Sequence, residues 1–176
     1  TSSAVELAAH LTLFSFDFET VPDTGGNKLA LEVEDEPDQR FPVIETTVTS
    51  GLTARPMPDV DYVVDVETPG EWSVQIGQPS PSAEAIAAPP FTASGSGVDV
   101  VGPVQIDDGA TVSLTHSKGD NGIWVNALAA SDTADGQRDG VYLVMTEPPF
   151  EGERETDKTG TVYFEVLGAG GPQELI

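Results

Sequence analysis

Residues 98–129 constrain the fold most, because apolar and polar residues alternate along three runs that are separated by turn-forming residues. In the second run, Val112 and Leu114 alternate with Ser113 and Thr115. An Asp-Asp-Gly run and a Gly-Asp-Asn-Gly run separate the three, and such residues favour tight turns between strands. Alternation with a period of two predicts an antiparallel sheet with one buried face. We therefore expect an all-β protein, an antiparallel β-sandwich of the single jelly-roll type.

The same alternation recurs on both sides of this stretch. Phe14, Phe16 and Phe18 share one face of a predicted strand, which is typical of packing between two sheets. An exposed aromatic platform for a ligand is the alternative for these rings. Further strands are expected near 29–34, 41–48, 60–67, 72–76, 141–145 and 161–167. One shared core is predicted from Phe14, Phe16, Phe18, Val64, Trp72, Val112, Val125 and Phe164.

The chain length of 176 residues suits one domain of ordinary size. Residues 1–9 are predicted as a short, helical N-terminal arm, and residues 10–176 as a single sandwich. Residues 78–90 are rich in Pro, Ser and Ala, which suggests a crossover between sheets. A weak internal similarity relates 62–66 and Gly70 to 162–166 and Gly170. We interpret the two segments as strands with the same structural position, without inferring a duplication.

The excess of acidic over basic residues is unusually large for a domain of this size. The chain contains thirty acidic and seven basic residues, which gives a formal net charge of -23. Such self-repulsion destabilises a compact state at ordinary ionic strength and is screened at molar salt, where the Debye length is about 3 Å. The composition is therefore typical of a halophilic protein, an acidic mesophilic domain being the alternative, and we expect folding to depend on salt. Direct binding of nucleic acid is not expected, since no basic patch could neutralise phosphates.

No catalytic motif stands out. His10 and His116 are the only histidines, each lies in or beside a strand pattern, and no nucleophile elbow accompanies them. We interpret both as packing or surface residues. Gly95-Ser96-Gly97 precedes a strand rather than a helix, so it is predicted to be a turn and not a phosphate loop. We expect a protein that is not an enzyme and has no bound cofactor.

One acidic loop is the best candidate for a cation site. Asp132, Asp135 and Asp139 fall within eight residues together with a glycine, so carboxylates and backbone carbonyls could surround Ca²⁺. The spacing differs from that of a helix-loop-helix calcium site. In so acidic a chain, a solvated loop remains the alternative and no metal site is firmly predicted.

Both ends of the chain carry apolar residues next to weakly structured sequence. Val5 and Leu7 lie in the predicted arm, and Leu175 and Ile176 follow a glycine-rich stretch. Because unattached termini are normally disordered, we expect a neighbouring copy to order these four residues by burying them. They are the predicted assembly residues.

Several absences bear on the expected location. The chain has no Cys, so disulfide, zinc-knuckle and thiol chemistry are excluded. No apolar run reaches the ~20 residues of a membrane helix, so the chain is not expected to span a membrane. The N-terminus lacks signal-peptide character, which leaves open whether a signal has been removed. No Asn-x-Ser/Thr sequon occurs, which favours assembly inside a cell over a glycosylated cell surface.

Two resemblances are visible. Residues 62–79 (YVVDVETPGEWSVQIGQP) and 91–125, including GSGVDVVGPVQIDDGATVSLTHSKGDNGIWV, resemble β-sandwich modules of haloarchaeal and bacterial secreted proteins. That resemblance implies a fold and little chemistry. In architecture and composition the chain also resembles the single jelly-roll capsid proteins of haloarchaeal icosahedral viruses.

The second resemblance implies a non-enzymatic structural protein that assembles with itself, and with other shell proteins, into a virion formed in a high-salt cytoplasm. The alternative is a secreted or cell-surface binding or adhesion module of a haloarchaeon, with a glycan as one kind of ligand. Both hypotheses predict a β-sandwich, and they differ in the surface that carries the function.

Overall fold

The computed structural model describes residues 4–116, 122–132, 141–146 and 149–175, with the backbone alone described at 37, 141–146 and 169–175. Within these residues, the strand pairings whose register is defined are antiparallel, and beside the strands there is one short 3-10 turn, Ala83–Ala85. The predicted all-β fold with an antiparallel β-sandwich is confirmed. The sequence alone places residues 10–176 in one sandwich, whereas the described residues fall into two compact units that meet in sequence between Gln78 and Pro79.

Unit 1 precedes that boundary and contains seven strands. Its first sheet has the order β1-β6-β3-β4, and in its second set β2 lies between β5 and β7. Apolar residues of both sets are buried, as the alternation in the sequence predicts. The strands are β1 (Ala4–Leu7), β2 (His10–Phe18), β3 (Asn27–Val33), β4 (Glu36–Thr46), β5 (Ser50–Met57), β6 (Val60–Glu67) and β7 (Trp72–Gly77).

The core of unit 1 is rich in aromatic side chains. Phe14, Phe16 and Phe18 are all buried on one face of β2, and the rings of Phe16 and Phe18 lie 5.3 Å apart. The predicted burial of these three rings is therefore confirmed. The core prediction is wrong for Trp72, whose side chain is 48% exposed because β7 forms the end of its set of strands. Val64 is half-buried.

Arg55 joins the two sets of strands in unit 1. Its side chain is 3% exposed, and its guanidinium donates hydrogen bonds to the carbonyl oxygens of Pro42 and Val43 on β4 and of Ala54. Burying a guanidinium is costly unless its N–H groups are satisfied, and these backbone acceptors satisfy several of them. Arg55 is thus a structural residue of the core.

Unit 2 follows the boundary and contains six strands, two of them long. β13 lies between β8 and β10 along its first half, while its C-terminal end lies between β8 and β9. β11 extends the first group and β12 pairs with β9. The strands are β8 (Ala93–Ile106), β9 (Ala110–His116), β10 (Ile123–Ala129), β11 (Val141–Thr146), β12 (Phe150–Thr156) and β13 (Gly160–Leu175).

A glycine-rich bend allows β8 and β13 to take part in both groups of strands. Val98 pairs with Leu167 and Ser96 with Pro172, so residues 168–171 of β13 face Gly97 alone on β8. Gly97 has a φ of +85°, a conformation that glycine adopts without strain. Long strands that change sheet at such a bulge are a known way to form a sandwich corner. The glycine-rich stretch of 168–171 is therefore a corner of the fold rather than a flexible tail.

The core of unit 2 combines residues from four strands. Val112, Val125 and Phe164 are buried in it, as predicted. Its buried members are Val104, Ile106, Val112, Leu114, Ile123, Val125, Ala127, Val162, Phe164 and Val166.

The two units share one strand connectivity. β6 pairs with β1 and β3, and β3 with β4; in unit 2 the first half of β13 pairs with β8 and β10, and β10 with β11. β2 pairs with β5 and β7, just as β9 pairs with β12 and the end of β13. In chain order, the seven strands of unit 1 correspond to β8 to β12 followed by the two halves of β13.

A β-bulge falls at the same place in both units. The register of β3 with β4 shifts between Leu29 and Ala30, and the register of β10 with β11 shifts between Val125 and Asn126. In each case the partner strand skips one residue. Since bulges are specific features rather than defects, the matching position supports a duplicated module. The similar segments 62–66 and 162–166 lie on the corresponding strands β6 and β13.

Candidate ligand-binding groove

An open groove of about 770 Å³ lies on unit 2. This volume is within the range of about 300–1,000 Å³ that small-molecule sites occupy. The groove lies between the segment that precedes β8 and the first half of β9. Its lining residues are Pro89, Pro90, Phe91, Val104, Ile106, Gly109, Ala110, Thr111, Val112, Ser113, Glu153 and Phe164.

The floor of the groove belongs to the core of unit 2. Val104, Ile106, Val112 and Phe164 are buried there, with at most 4% of each side chain exposed. Their positions follow from the alternation along β8, β9 and β13, which sends one residue in two toward the core. The floor is therefore apolar and is held by packed strands rather than by loops.

The segment before β8 forms one wall of the groove. Phe91 is half-buried and packs against the core, while Pro89 and Pro90 are exposed. Ala87 holds this segment to β8, since its N–H donates to the Pro103 carbonyl at 2.9 Å and its carbonyl accepts from Gln105 at 2.8 Å. Residues 78–90, predicted as a crossover, thus begin at the boundary between the units and end in this wall.

Polar groups lie along the opposite wall. The Ser113 hydroxyl donates to Glu153 Oε1 at 3.3 Å, and the Thr111 hydroxyl is exposed on the same strand. Glu153 is exposed, and it is the one ionisable residue among the described residues that line the groove. The groove therefore combines an apolar floor and an aromatic ring with two hydroxyls and a carboxylate, and this set suits a neutral ligand that carries hydroxyl groups.

A second cleft, of about 470 Å³, lies on unit 1 beside a cluster of charges. Arg40 forms ion pairs with Asp65 and with Glu67, whose Oε1 is 3.1 Å away, and Lys28 binds the other oxygen of Glu67 at 3.2 Å. These hydrogen bonds from Arg40 and Lys28 lower the pKa of Glu67, and hydrogen bonding to Glu67 raises the pKa of Arg40. The carboxylates neutralise the cations, so this cleft offers little to an anionic ligand.

The structure uses Asp132 differently from the predicted cation loop. Lys158 Nζ lies 3.0 Å and 2.9 Å from its two carboxylate oxygens, and the Ala129 N–H donates to Oδ2 at 2.8 Å. An ammonium group therefore occupies the place that Ca²⁺ would need on Asp132. Asp135 and Asp139 lie outside the described residues. Within the described part of the chain, no group of three or more His, Asp or Glu residues could hold a metal ion.

The remaining candidates from the sequence are the two histidines and the glycine-rich segment 95–97. His10 is exposed, while His116 is 1% exposed and its Nδ1 has no hydrogen-bond partner among the described residues. The prediction of a turn at Gly95 to Gly97 is wrong, because these residues belong to β8, where Gly95 pairs with Gln173 of β13. Extended pairing with β13 outweighs the local turn preference of the glycines.

Three of the four predicted assembly residues lie in strands that pair within this chain. Residues 4–7 form β1 on β6, with Val5 opposite Tyr62, so the expectation of a helical arm is wrong. Leu7 is 4% exposed within the core, which leaves its side chain unavailable to a neighbouring copy, and Val5 is half-buried. Leu175 pairs through its backbone with Ala93 and Leu114, and Ile176 lies outside the described residues.

Two features of the surface were not visible in the sequence. Phe91 and the prolines before it lie in a stretch whose composition resembles a linker, and only tertiary packing makes it a wall. Trp72 has the alternation of a core residue but is 48% exposed, and Trp124, which alternates with the buried Ile123 and Val125, is 38% exposed. The position of a strand at the edge of its sheet, which a local pattern does not encode, accounts for Trp72.

A scan of the chain against protein-family models gives no match, and a search of curated proteins gives none either. None of the helical structure in the described ranges is long and apolar enough to cross a membrane.

Proposed function

We propose that the chain is a non-enzymatic binding module of the secreted or cell-surface type, and that the groove on unit 2 binds a neutral glycan. The observation that carries the proposal is the groove itself, with an apolar floor of fixed strands, the half-buried ring of Phe91 and a polar wall. Sugar rings present apolar C–H faces that stack on aromatic and aliphatic surfaces. Their hydroxyls would bond to Thr111, Ser113 and Glu153.

The charge of the protein selects among glycans. Glu153 lies in the wall, so an acidic sugar in the groove would meet a like charge at close range. A neutral oligosaccharide meets no such repulsion, and it can donate hydroxyl protons to the Glu153 carboxylate through charge-assisted hydrogen bonds.

Calorimetric titration at molar salt tests the proposal with neutral oligosaccharides of glucose, mannose and N-acetylglucosamine. We expect at least one to bind, and Phe91→Ala and Glu153→Gln to weaken it by about ten-fold, equivalent to about 1.4 kcal/mol each. Glu155→Gln is the matched control, because Glu155 is exposed on the same strand and does not line the groove. Failure of every neutral sugar to bind, with binding of an acidic sugar or a peptide instead, would reject the glycan proposal.

A virion shell protein remains the second candidate. The observation that favours it is the uncharged strand β7 at the end of its set of strands, since assembly of so acidic a chain requires a surface without carboxylates. Electron microscopy of the purified full-length chain at molar salt distinguishes the two. Closed shells of uniform size would support a shell protein, and monomers or small oligomers would support the binding module.

A further inference from the structure

Strand β7 (Trp72–Gly77) lies at the end of the described strands that pair with β2 and β5 in unit 1. Among the described strands it pairs with β2 alone, and none of its six residues is buried. Trp72 is 48% exposed, and a side-chain carbon built on Gly77 would meet no atom within 4 Å. A strand edge of this kind presents backbone N–H and C=O groups that a further strand could satisfy.

β7 contains no charged residue, and neither does β11, whereas three other strands at the ends of their sheets do. β1 contains Glu6, β4 contains four charged residues, and β12 contains Glu151, Glu153, Arg154 and Glu155. Proteins commonly place charges on such strands to prevent pairing between molecules. β7, with the sequence WSVQIG, has none, although the chain carries a net charge of -23.

We propose that β7 pairs in antiparallel register with β7 of a second copy, around a two-fold axis at Val74. A two-fold axis perpendicular to the sheet keeps each face on its own side, so residues of equal parity must meet. Centred on Val74, the register places Trp72 opposite Ile76 of the other copy and Ser73 opposite Gln75.

The strand is self-complementary in this register. The half-exposed apolar row of Trp72, Val74 and Ile76 meets the same row of the second copy, and aromatic and β-branched pairs are among the favourable cross-strand pairs. On the other face, the Ser73 hydroxyl meets the Gln75 amide. The two β2 strands then lie on the outer sides of the paired β7 strands, which extends the sheet across both copies.

The charges that flank β7 do not oppose this pairing. Glu71 precedes the strand and would lie opposite Gly77, which has no side chain. The two copies of Glu71 would be separated by six residues along the strand, about 20 Å at ~3.4 Å per residue. This distance exceeds the Debye length of about 10 Å at 0.1 M salt, so their repulsion is screened. The pairing involves unit 1 and is independent of the glycan proposal for the groove.

The test uses analytical ultracentrifugation of the full-length chain at the lowest salt concentration that preserves its circular dichroism spectrum. We expect a concentration-dependent dimer. Combining Ser73→Glu with Gln75→Glu places carboxylates opposite one another in the proposed register and should raise the dissociation constant by ten-fold or more. The control combines Gln39→Glu with Gln105→Glu, which adds the same charge at two exposed positions and should leave dimerisation unchanged.

A charge-reversal experiment tests the register. Mixing the chain that carries Ser73→Glu and Gln75→Glu with one that carries Ser73→Lys and Gln75→Lys should restore a heterodimer. A wild-type chain that stays monomeric at every concentration would overturn the proposal, as would an acidic variant that dimerises normally. Growth beyond a dimer would also overturn it, because it would indicate pairing of β7 with a different edge, such as that of β11.

Discussion

Asn126 on β10 lies directly opposite Glu165 on β13, and its side-chain amide donates a 2.8 Å hydrogen bond to Glu165 Oε2. Asn126 is 1% exposed and Glu165 is fully buried. The pair lies on the face of the sheet opposite to Val125 and Ala127, since successive residues of a strand point to opposite sides. A buried carboxyl group depends on such donors, because leaving a buried polar group without a partner is costly.

Asn126→Ala should therefore lower the free energy of unfolding by about 1–3 kcal/mol, the usual cost of removing one partner from a buried polar pair. Gln105→Ala is the control, because the Gln105 amide donates to Asp107 at the surface and its loss should cost little. Chemical denaturation at constant molar salt measures both. Equal stability of the two variants would contradict the role of Asn126.

The aromatic row of β2 gives a second prediction. Phe16 is 2% exposed, so Phe16→Ala should cost about 3–5 kcal/mol through the lost burial and the cavity left behind. Trp72 is opposite Phe18 on the neighbouring strand but is 48% exposed, so Trp72→Ala should cost much less despite its larger ring. The same denaturation measurement compares the two variants. If Phe16→Ala lowered the free energy of unfolding less than Trp72→Ala, the aromatic row of β2 would have to be exposed.

The N-terminal strand should stabilise unit 1. Leu7→Ala is expected to cost about 2–5 kcal/mol because the side chain is buried, whereas Val5→Ala, at a half-buried position, should cost less. Deleting residues 1–9 removes β1 from β6 and should lower the melting temperature. A truncated chain that melts like the full chain would show that β1 adds no stability, and would favour the original expectation of an arm used only for assembly.

Tyr62 makes the stability of unit 1 sensitive to alkaline pH. Burial, together with the nearby charge of Asp59, raises its pKa from 10.0 to about 12, and its hydroxyl donates to the Pro58 carbonyl at 3.1 Å. Below pH 10.0 the neutral phenol is present in both the folded and the unfolded chain, so its contribution to stability is complete. Between pH 10.0 and 12 only the unfolded chain ionises, and stability falls.

Tyr62→Phe should remove most of this alkaline loss, at the cost of the hydroxyl hydrogen bond at neutral pH. Unfolding curves at a series of pH values from neutral to 12 measure the slope. Burial also raises the pKa of Tyr163, so Tyr163→Phe should remove a further part of the loss of stability at alkaline pH. A slope that neither substitution changes would place the alkaline sensitivity elsewhere in the chain.

Local alternation of residues was sufficient to predict the strands and the buried faces of β2, β9 and β10, because a period of two places one side of a strand in the core. It did not reveal the duplicated connectivity. The equivalent segments around Val64 and Phe164 share few residues, and the matching bulges at Leu29 and Val125 depend on pairing between distant strands.

The candidate site was harder to predict than the fold. The floor of the groove could be identified as core, but Phe91 lies in a segment of linker-like composition that becomes a wall only through the backbone bonds of Ala87. The termini were misjudged for the same reason. The local sequence at Leu7 and Leu175 suggests loose ends, while strands distant in sequence, β6 for the first and β8 and β9 for the second, hold them in place.

The most direct test of the central claim, that the groove of unit 2 is a ligand site, is chemical-shift mapping of the full-length chain during titration with the neutral oligosaccharide that binds best. The account predicts that the largest amide shifts fall on the groove residues Phe91, Ala110, Thr111, Ser113 and Glu153, with little change in unit 1. Shifts confined to unit 1, or no saturable shifts with any neutral sugar, would contradict it.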